Sequence, residues 1–173
     1  MNEPIFLIGF MGCGKSTTGR RLAHRLGWHF VDTDRLIEEK CGTTIAQIFA
    51  QQGEEKFRTA EQSVLADLLR QQRIVVATGG GMPCTHETIA AMNAAGITIY
   101  LKTAPEILYL RLQTKHDKRP LIAKKNNEEL RSYITETLKQ RETFYAQAQL
   151  TVTPANDHRF EHINQIINYL YAK

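Results

Sequence analysis

Residues 5–27 constrain the fold more than any other stretch of the chain. Ile5, Phe6, Leu7 and Ile8 form an unbroken apolar run, the pattern of a strand buried on both faces. Gly9-Phe10-Met11-Gly12-Cys13-Gly14-Lys15-Ser16 follows at once, a complete G-x-x-x-x-G-K-[ST] pattern. Leu22, Ala23 and Leu26 then recur at helical spacing until Gly27. A phosphate chain needs several N–H donors converging on it, and side chains would block that approach. Glycine lets the backbone curl and come close. The helix behind the loop aims its free N–H groups and positive dipole end at the same spot. Gly12, Cys13, Gly14, Lys15, Ser16 and Thr17 are therefore the candidate triphosphate-binding residues. Lys15 reaches the β- and γ-phosphates, and Ser16 offers its hydroxyl to Mg²⁺. Cys13 packs as a small residue in the loop.

The totals agree with one compact globular domain over residues 1–173. Apolar residues make up 42% and charged residues 23% of the 173, enough to build a core. No apolar run approaches the roughly 18–20 residues a membrane span needs, and polar residues interrupt any signal-peptide pattern near the start. Cys13, Cys41 and Cys84 are odd in number and far apart. They suit neither a disulfide framework nor a zinc site, so a reducing, cytoplasmic setting is expected. The net charge of +4 admits nucleic acid or small anionic ligands. The basic residues gather around 20–25, 111–125 and 139–141, without the interleaved aromatics that nucleic-acid stacking requires.

Beyond the first helix, strands and helices alternate. Residues 28–34 read as a second strand ending in acids, 34–40 as a short helix, and 44–52 as another stopped by Gly53. A long helix follows over 54–72, with Phe57, Ala60, Val64, Leu65 and Leu68 in one stripe. A third strand at 74–78 breaks into Gly79, Gly80 and Gly81. A helix at 85–95, a strand at 97–102 and a helix opened by Pro105 come next. Residues 114–127 read as a polar, mobile loop, and a helix runs from 127 or 128 to 148. A fifth strand at 150–153 and a helix at 157–171 close the chain. His158 and His162 are expected on the surface of that last helix. Continuous apolar strands joined by helices predict a parallel sheet covered on both faces.

Three further groups of residues suggest a second ligand. Asp32 and Asp34, expected at a strand end, would face one side. One can hold Mg²⁺ through water and the other can take a substrate hydroxyl, unless Thr33 or Asp34 merely caps the next helix. Glu54, Arg58 and Glu61 share a helix face at spacings of four and three, a pattern that surface ion pairing also produces. The triple glycine exposes N–H groups where open α/β sheets bind ligands. A carboxylate there would be held by backbone donors and an arginine.

The segments "GFMGCGKST", "FVDTD", Phe57 to Glu61, "ATGGG" and Arg119-Pro120, in that order, resemble the shikimate kinases over nearly the whole chain. The resemblance implies a three-layer P-loop kinase fold around a five-stranded parallel sheet. It implies transfer of the γ-phosphoryl of ATP to the 3-hydroxyl of shikimate, with Mg²⁺, in a cytoplasmic monomer. Asp34 would bind the substrate hydroxyls and act as base. Arg58, Gly79, Gly80, Gly81, Arg141 and Glu61 would line the shikimate site, with the arginines on its carboxylate and Phe49 and Phe57 walling its ring. Asp32 would support Mg²⁺ beside Ser16. Helices over 33–62 would carry the substrate site, and a lid over 114–127 would bring Arg119 to the phosphates as a third catalytic group with Lys15 and Asp34. Arg111 would lie near the adenine, with the segment 153–156. Met82-Pro83 departs from the aliphatic residue common in the family.

Two other readings compete. A gluconate-type small-molecule kinase would share the build, but Asp34, Arg58 and the triple glycine suit a polyhydroxylated ring acid. A nucleotide sensor would keep the first glycine loop without needing the acceptor-side residues.

Overall fold

The computed structural model describes residues 2–114, 121–123, 125–154 and 160–172. Five short strands are observed: β1 (Ile5–Ile8), β2 (His29–Asp32), β3 (Ile74–Ala77), β4 (Ile97–Leu101) and β5 (Leu150–Val152). The helices among the described residues are α1 (Lys15–Leu26), α2 (Thr33–Cys41), α3 (Ile45–Leu68), α4 (His86–Ala95), α5 (Pro105–Leu112), α6 (Asn127–Tyr145) and α7 (Glu161–Ala172). All four strand pairings are parallel, in the order β2-β3-β1-β4-β5.

The sheet is buried on both faces because its apolar runs divide between them. Ile5 and Leu7 of β1, Val75 of β3, and Ile97, Ile99 and Leu101 of β4 enter one core with Leu22, Leu108, Ile134, Ile163 and Ile166. Phe6, Ile8, Ile74, Val76 and Tyr100 point the other way, against Ile37, Ile48, Val64, Leu65, Ile89 and Met92. Alternation along each strand thus produces three layers: α1, α5 and α7 on one side, and α2, α3 and α4 on the other.

The strand order positions the site. From β1 the chain crosses to β2 at one edge; from β3 it crosses back to β4 on the far side of β1. The carboxyl ends of β1 and β3 are therefore a switch point, where helices lead away in opposite directions and leave a crevice. The first glycine loop follows β1, and the triple glycine follows β3.

Several local expectations need correction. The second strand stops at Asp32, and Thr33 already begins α2. The Asp32 side chain is the reason: its Oδ1 accepts the Asp34 N–H at 3.2 Å, an N-cap that turns the chain into helix. Asp32 and Asp34 therefore do not alternate on a strand. Gly53 does interrupt the helix, as expected from the sequence. It sits as one non-helical residue (φ 80°, ψ 175°) between two arms of α3, a conformation glycine adopts without penalty. The second arm ends at Leu68, four residues short of the expected end. His162 is not a surface residue. It is 4% exposed, and its Nε2 hydrogen-bonds the buried Thr18 hydroxyl of α1 at 3.0 Å. The apolar stripe alone does not reveal this, because the partner lies at the other end of the chain. His158, and the stretch that includes Asp157, lie outside the described residues.

Candidate active site

The first loop is built as its residues suggest. Gly12 and Gly14 take φ of 85° and 101°, the left-handed region that residues with a Cβ avoid. The N-cap of α1 is Gly14, with no side chain bonded to the helix end and no acid in its first turn. The free N–H groups there are left for an anion. Lys15 is 9% exposed and donates to the carbonyls of Gly9 at 2.7 Å and Phe10 at 3.0 Å. Its ammonium thus lies under the loop that it would share with phosphates. Cys13 is buried, and its thiol fills space beside Gly9. Thr17 is exposed on the first turn of α1. Arg111 of α5 reaches over the loop to the Gly12 carbonyl at 3.1 Å.

Asp32 and Asp34 divide their tasks. Ser16 Oγ donates to Asp32 Oδ2 at 2.7 Å, which joins hydroxyl and carboxylate at the mouth of the first loop. Asp34, one step into α2, turns instead toward the triple glycine. A Cβ on Gly79 would lie 2.9 Å from Asp34 Oδ1 and 3.4 Å from Glu61 Oε1. Between the two acids, Thr33 Oγ1 accepts the Gly79 N–H at 2.7 Å.

The two glycine loops touch. A Cβ on Gly80 would lie 3.4 Å from Met11 N, 3.5 Å from Gly9 O and 3.4 Å from a guanidinium nitrogen of Arg141. One on Gly81 would lie 3.4 Å from Arg58 and 3.6 Å from Arg141. None of Gly79, Gly80 and Gly81 has a positive φ. Glycine is needed here for close approach rather than for an unusual backbone. Arg58 from α3 and Arg141 from α6, 83 positions apart in sequence, thus meet over Gly81, and Arg141 also lies over Gly80. Phe49 and Phe57 pack at 4.7 Å between ring centroids beside them.

Arg58 is aimed by two acids on its own helix. It bonds Glu54 at 3.0 Å and Glu61 at 2.8 Å. Glu61 is 6% exposed, so this is not the ordinary surface pairing that the spacing also allowed. Burial works against the Arg58 charge, but the two acids more than offset it and hold its pKa above the ordinary value. For Glu61, burial wins. It pushes the carboxyl up, and Arg58 pulls it down without cancelling the effect. Along the triple glycine, Asp34 and Glu61 crowd Gly79 while Arg58 and Arg141 crowd Gly81.

The sequence model of the shikimate kinase family matches residues 11–171. The chain belongs to the shikimate kinase family. The shikimate kinase of Aliivibrio salmonicida is 40% identical over 167 residues, covering 96% of this chain and 95% of that protein. The crystal structure of shikimate kinase from Bacteroides thetaiotaomicron superposes with a TM-score of 0.91 at 34% identity, over the full length of both chains. Shikimate kinase from Acinetobacter baumannii, solved in complex with shikimate, gives a TM-score of 0.88 at 34% identity, over 98% of this chain and 93% of that one. As in other shikimate kinases, the fold is a P-loop α/β kinase fold and the chemistry is ATP-dependent phosphoryl transfer.

Two further residues brace the triple glycine without a sequence motif that points to them. Thr33 holds Gly79, and Tyr145 donates its hydroxyl to the Gly80 carbonyl at 2.6 Å. Tyr145 carried one signal: it lies four residues after Arg141, on the same face of α6. Arg119, with the rest of 115–120 and residue 124 of the expected lid, and residues 155 and 156 lie outside the described residues.

Proposed function

We propose that this shikimate kinase carries the γ-phosphoryl of ATP to the 3-hydroxyl of shikimate with the residues gathered at the β1/β3 crevice. The observation that carries the reading is the contact between the two glycine loops, which sets a phosphate cradle against a hollow lined by Asp34, Arg58 and Arg141. In this reading Gly12 to Thr17 hold the triphosphate, and Lys15 exchanges its loop carbonyls for β- and γ-oxygens. Arg111 supports the adenine side. Arg58 and Arg141 grip the shikimate carboxylate with the Gly80 and Gly81 amides, a guanidinium fork being suited to two-point contact. Phe49 and Phe57 face the ring, and Glu61 keeps Arg58 in place. Asp34 orients the acceptor hydroxyl and takes its proton, since it sits on the substrate side of Gly79.

The hydroxyl of Ser16 and carboxylate of Asp32 fit Mg²⁺, a hard cation that takes oxygen ligands and keeps several waters. Two adjacent protein oxygens suit that demand. When bound, the ion supplies neutralisation of charge on the phosphates. Arg119 enters from the family resemblance alone, as a cation brought to the phosphates by the lid. A monomer is part of this reading on the family resemblance alone. No helix among the described residues is long and apolar enough to cross a membrane, and Cys13, Cys41 and Cys84 are unbridged. Both agree with a cytoplasmic enzyme.

The test is ATP consumption with and without shikimate, and with gluconate in its place, for the parent and for Asp34→Asn. Consumption should depend on shikimate and not on gluconate. Asp34→Asn should lose at least about 100-fold in kcat, the usual range for a general base, and still bind ATP. Loss of ATP binding would place Asp34 on the nucleotide side and end this assignment.

A further inference from the structure

The peptide between Gly80 and Gly81 is held from outside its own loop. A trans peptide points its C=O and N–H in opposite directions, so whatever fixes the oxygen aims the hydrogen. The Gly79 carbonyl accepts the Met82 N–H at 3.2 Å, and this local turn aims the Gly80 N–H. The Gly80 carbonyl has no such local backbone partner. It accepts the Tyr145 hydroxyl at 2.6 Å, with the Cys84 thiol as a weak second donor at 3.6 Å. The amides of Gly80 and Gly81 have no protein acceptor among the described residues. They lie beside Arg58 and Arg141.

Tyr145 is built for a fixed position. Its side chain is fully buried, and its ring packs on Tyr100 with centroids 5.1 Å apart. Burial raises the phenol pKa far above its ordinary value, so the hydroxyl remains a donor at any working pH. Arg141 leaves the same face of α6 one turn earlier. One helix thus delivers a cation to the hollow and a clamp to the peptide behind it.

We propose that Tyr145 is a positioning residue for the carboxylate of the substrate: its hydroxyl holds the Gly80–Gly81 peptide so that the Gly81 N–H faces the anion between Arg58 and Arg141. This rests on the carboxylate reading given under Proposed function. The hydroxyl does not touch the substrate. It acts by orienting the peptide and by polarising it, since a hydrogen bond to the C=O strengthens the N–H of the same unit as a donor.

The test is Tyr145→Phe, which removes the oxygen and keeps the ring. Steady-state kinetics would be measured with shikimate, with its methyl ester and with ATP varied, beside a melting curve. The KM for shikimate should rise about five- to tenfold, the effect of one lost hydrogen bond, while kcat and the KM for ATP stay within about twofold. With the ester, which lacks the anionic oxygens, variant and parent should differ by less than about twofold. An unchanged KM for shikimate, an equal rise in both KM values, or an equal penalty on acid and ester would each overturn the proposal. The acid–ester comparison decides even if the variant melts lower, because general loosening does not distinguish the two acceptors. Arg58→Lys, run in parallel, separates the two readings. If it leaves the KM for shikimate unchanged, the carboxylate subsite and this proposal fall together. If it raises that KM and Tyr145→Phe does not, only the role of Tyr145 falls.

Discussion

Glu61 shows what a single buried charge does in this site. Its carboxyl is pushed above the ordinary value of 4.5 because burial outweighs the pull of Arg58. The folded protein therefore binds the Glu61 proton more readily than the unfolded chain does. Stability from this group is full below the unfolded pKa and is lost as pH rises through the folded one. Glu61→Gln removes the titration. The melting temperature of the variant relative to the parent should therefore shift in its favour from pH 4 toward pH 7. A parallel pair of melting curves across that range would show that Glu61 is not ionised at a cost. The same variant leaves Arg58 with Glu54 as its remaining acid, so the KM for shikimate should rise even where stability improves. Glu61 was legible as a partner of Arg58 from the i, i+3 spacing. Its burial was not, because spacing says which residues meet on a helix and not what covers them.

At the scale of elements, glycine loops and caps organise the site, and most were readable locally. The first loop was legible because a left-handed backbone and an uncapped helix end leave a composition of their own. The triple glycine was legible as a loop, but its reason lay in its neighbours: Asp34, Met11 and the two arginines crowd it. The β2–α2 junction was misjudged because an aspartate at a strand end is also a helix cap, and the cap bond to the Asp34 N–H decided between them. Gly96, where α4 meets β4, is a control for close approach away from the chemistry. Its backbone is extended, so alanine has no conformational penalty, but a Cβ there would sit inside contact distance of the Pro4 carbonyl. Gly96→Ala should destabilise the fold by about 1–3 kcal/mol, the usual cost of overpacking. Its activity per folded molecule should be unchanged, because the crowding is at the amino end of β4, opposite the site. Urea unfolding and kcat of the refolded variant measure the two parts.

For the whole molecule, helices distant in sequence close the layers. The bond from His162 on α7 to Thr18 on α1 spans 144 positions and lies behind the helix that starts at the phosphate loop. Replacing His162 with Ala leaves a buried hydroxyl without its partner and opens space around it. The expected loss is about 1–3 kcal/mol, seen as a lower urea midpoint, with little change in the KM for shikimate. A large change in that KM and an unaltered midpoint would contradict a packing role.

The chain's sequence alone settled the α/β class, the order of elements, the phosphate loop and the family, because each depends on contacts or backbone conformations within a few residues. Tertiary structure alone decided that Asp34 lies against Gly79, that Glu61 is buried, and that the Tyr145 hydroxyl stands behind the Gly80 carbonyl. Those facts depend on packing between segments tens of residues apart, as in the 65 positions from Gly80 to Tyr145. A residue's type shows what it is able to bond; only the folded layers determine which partner is within reach.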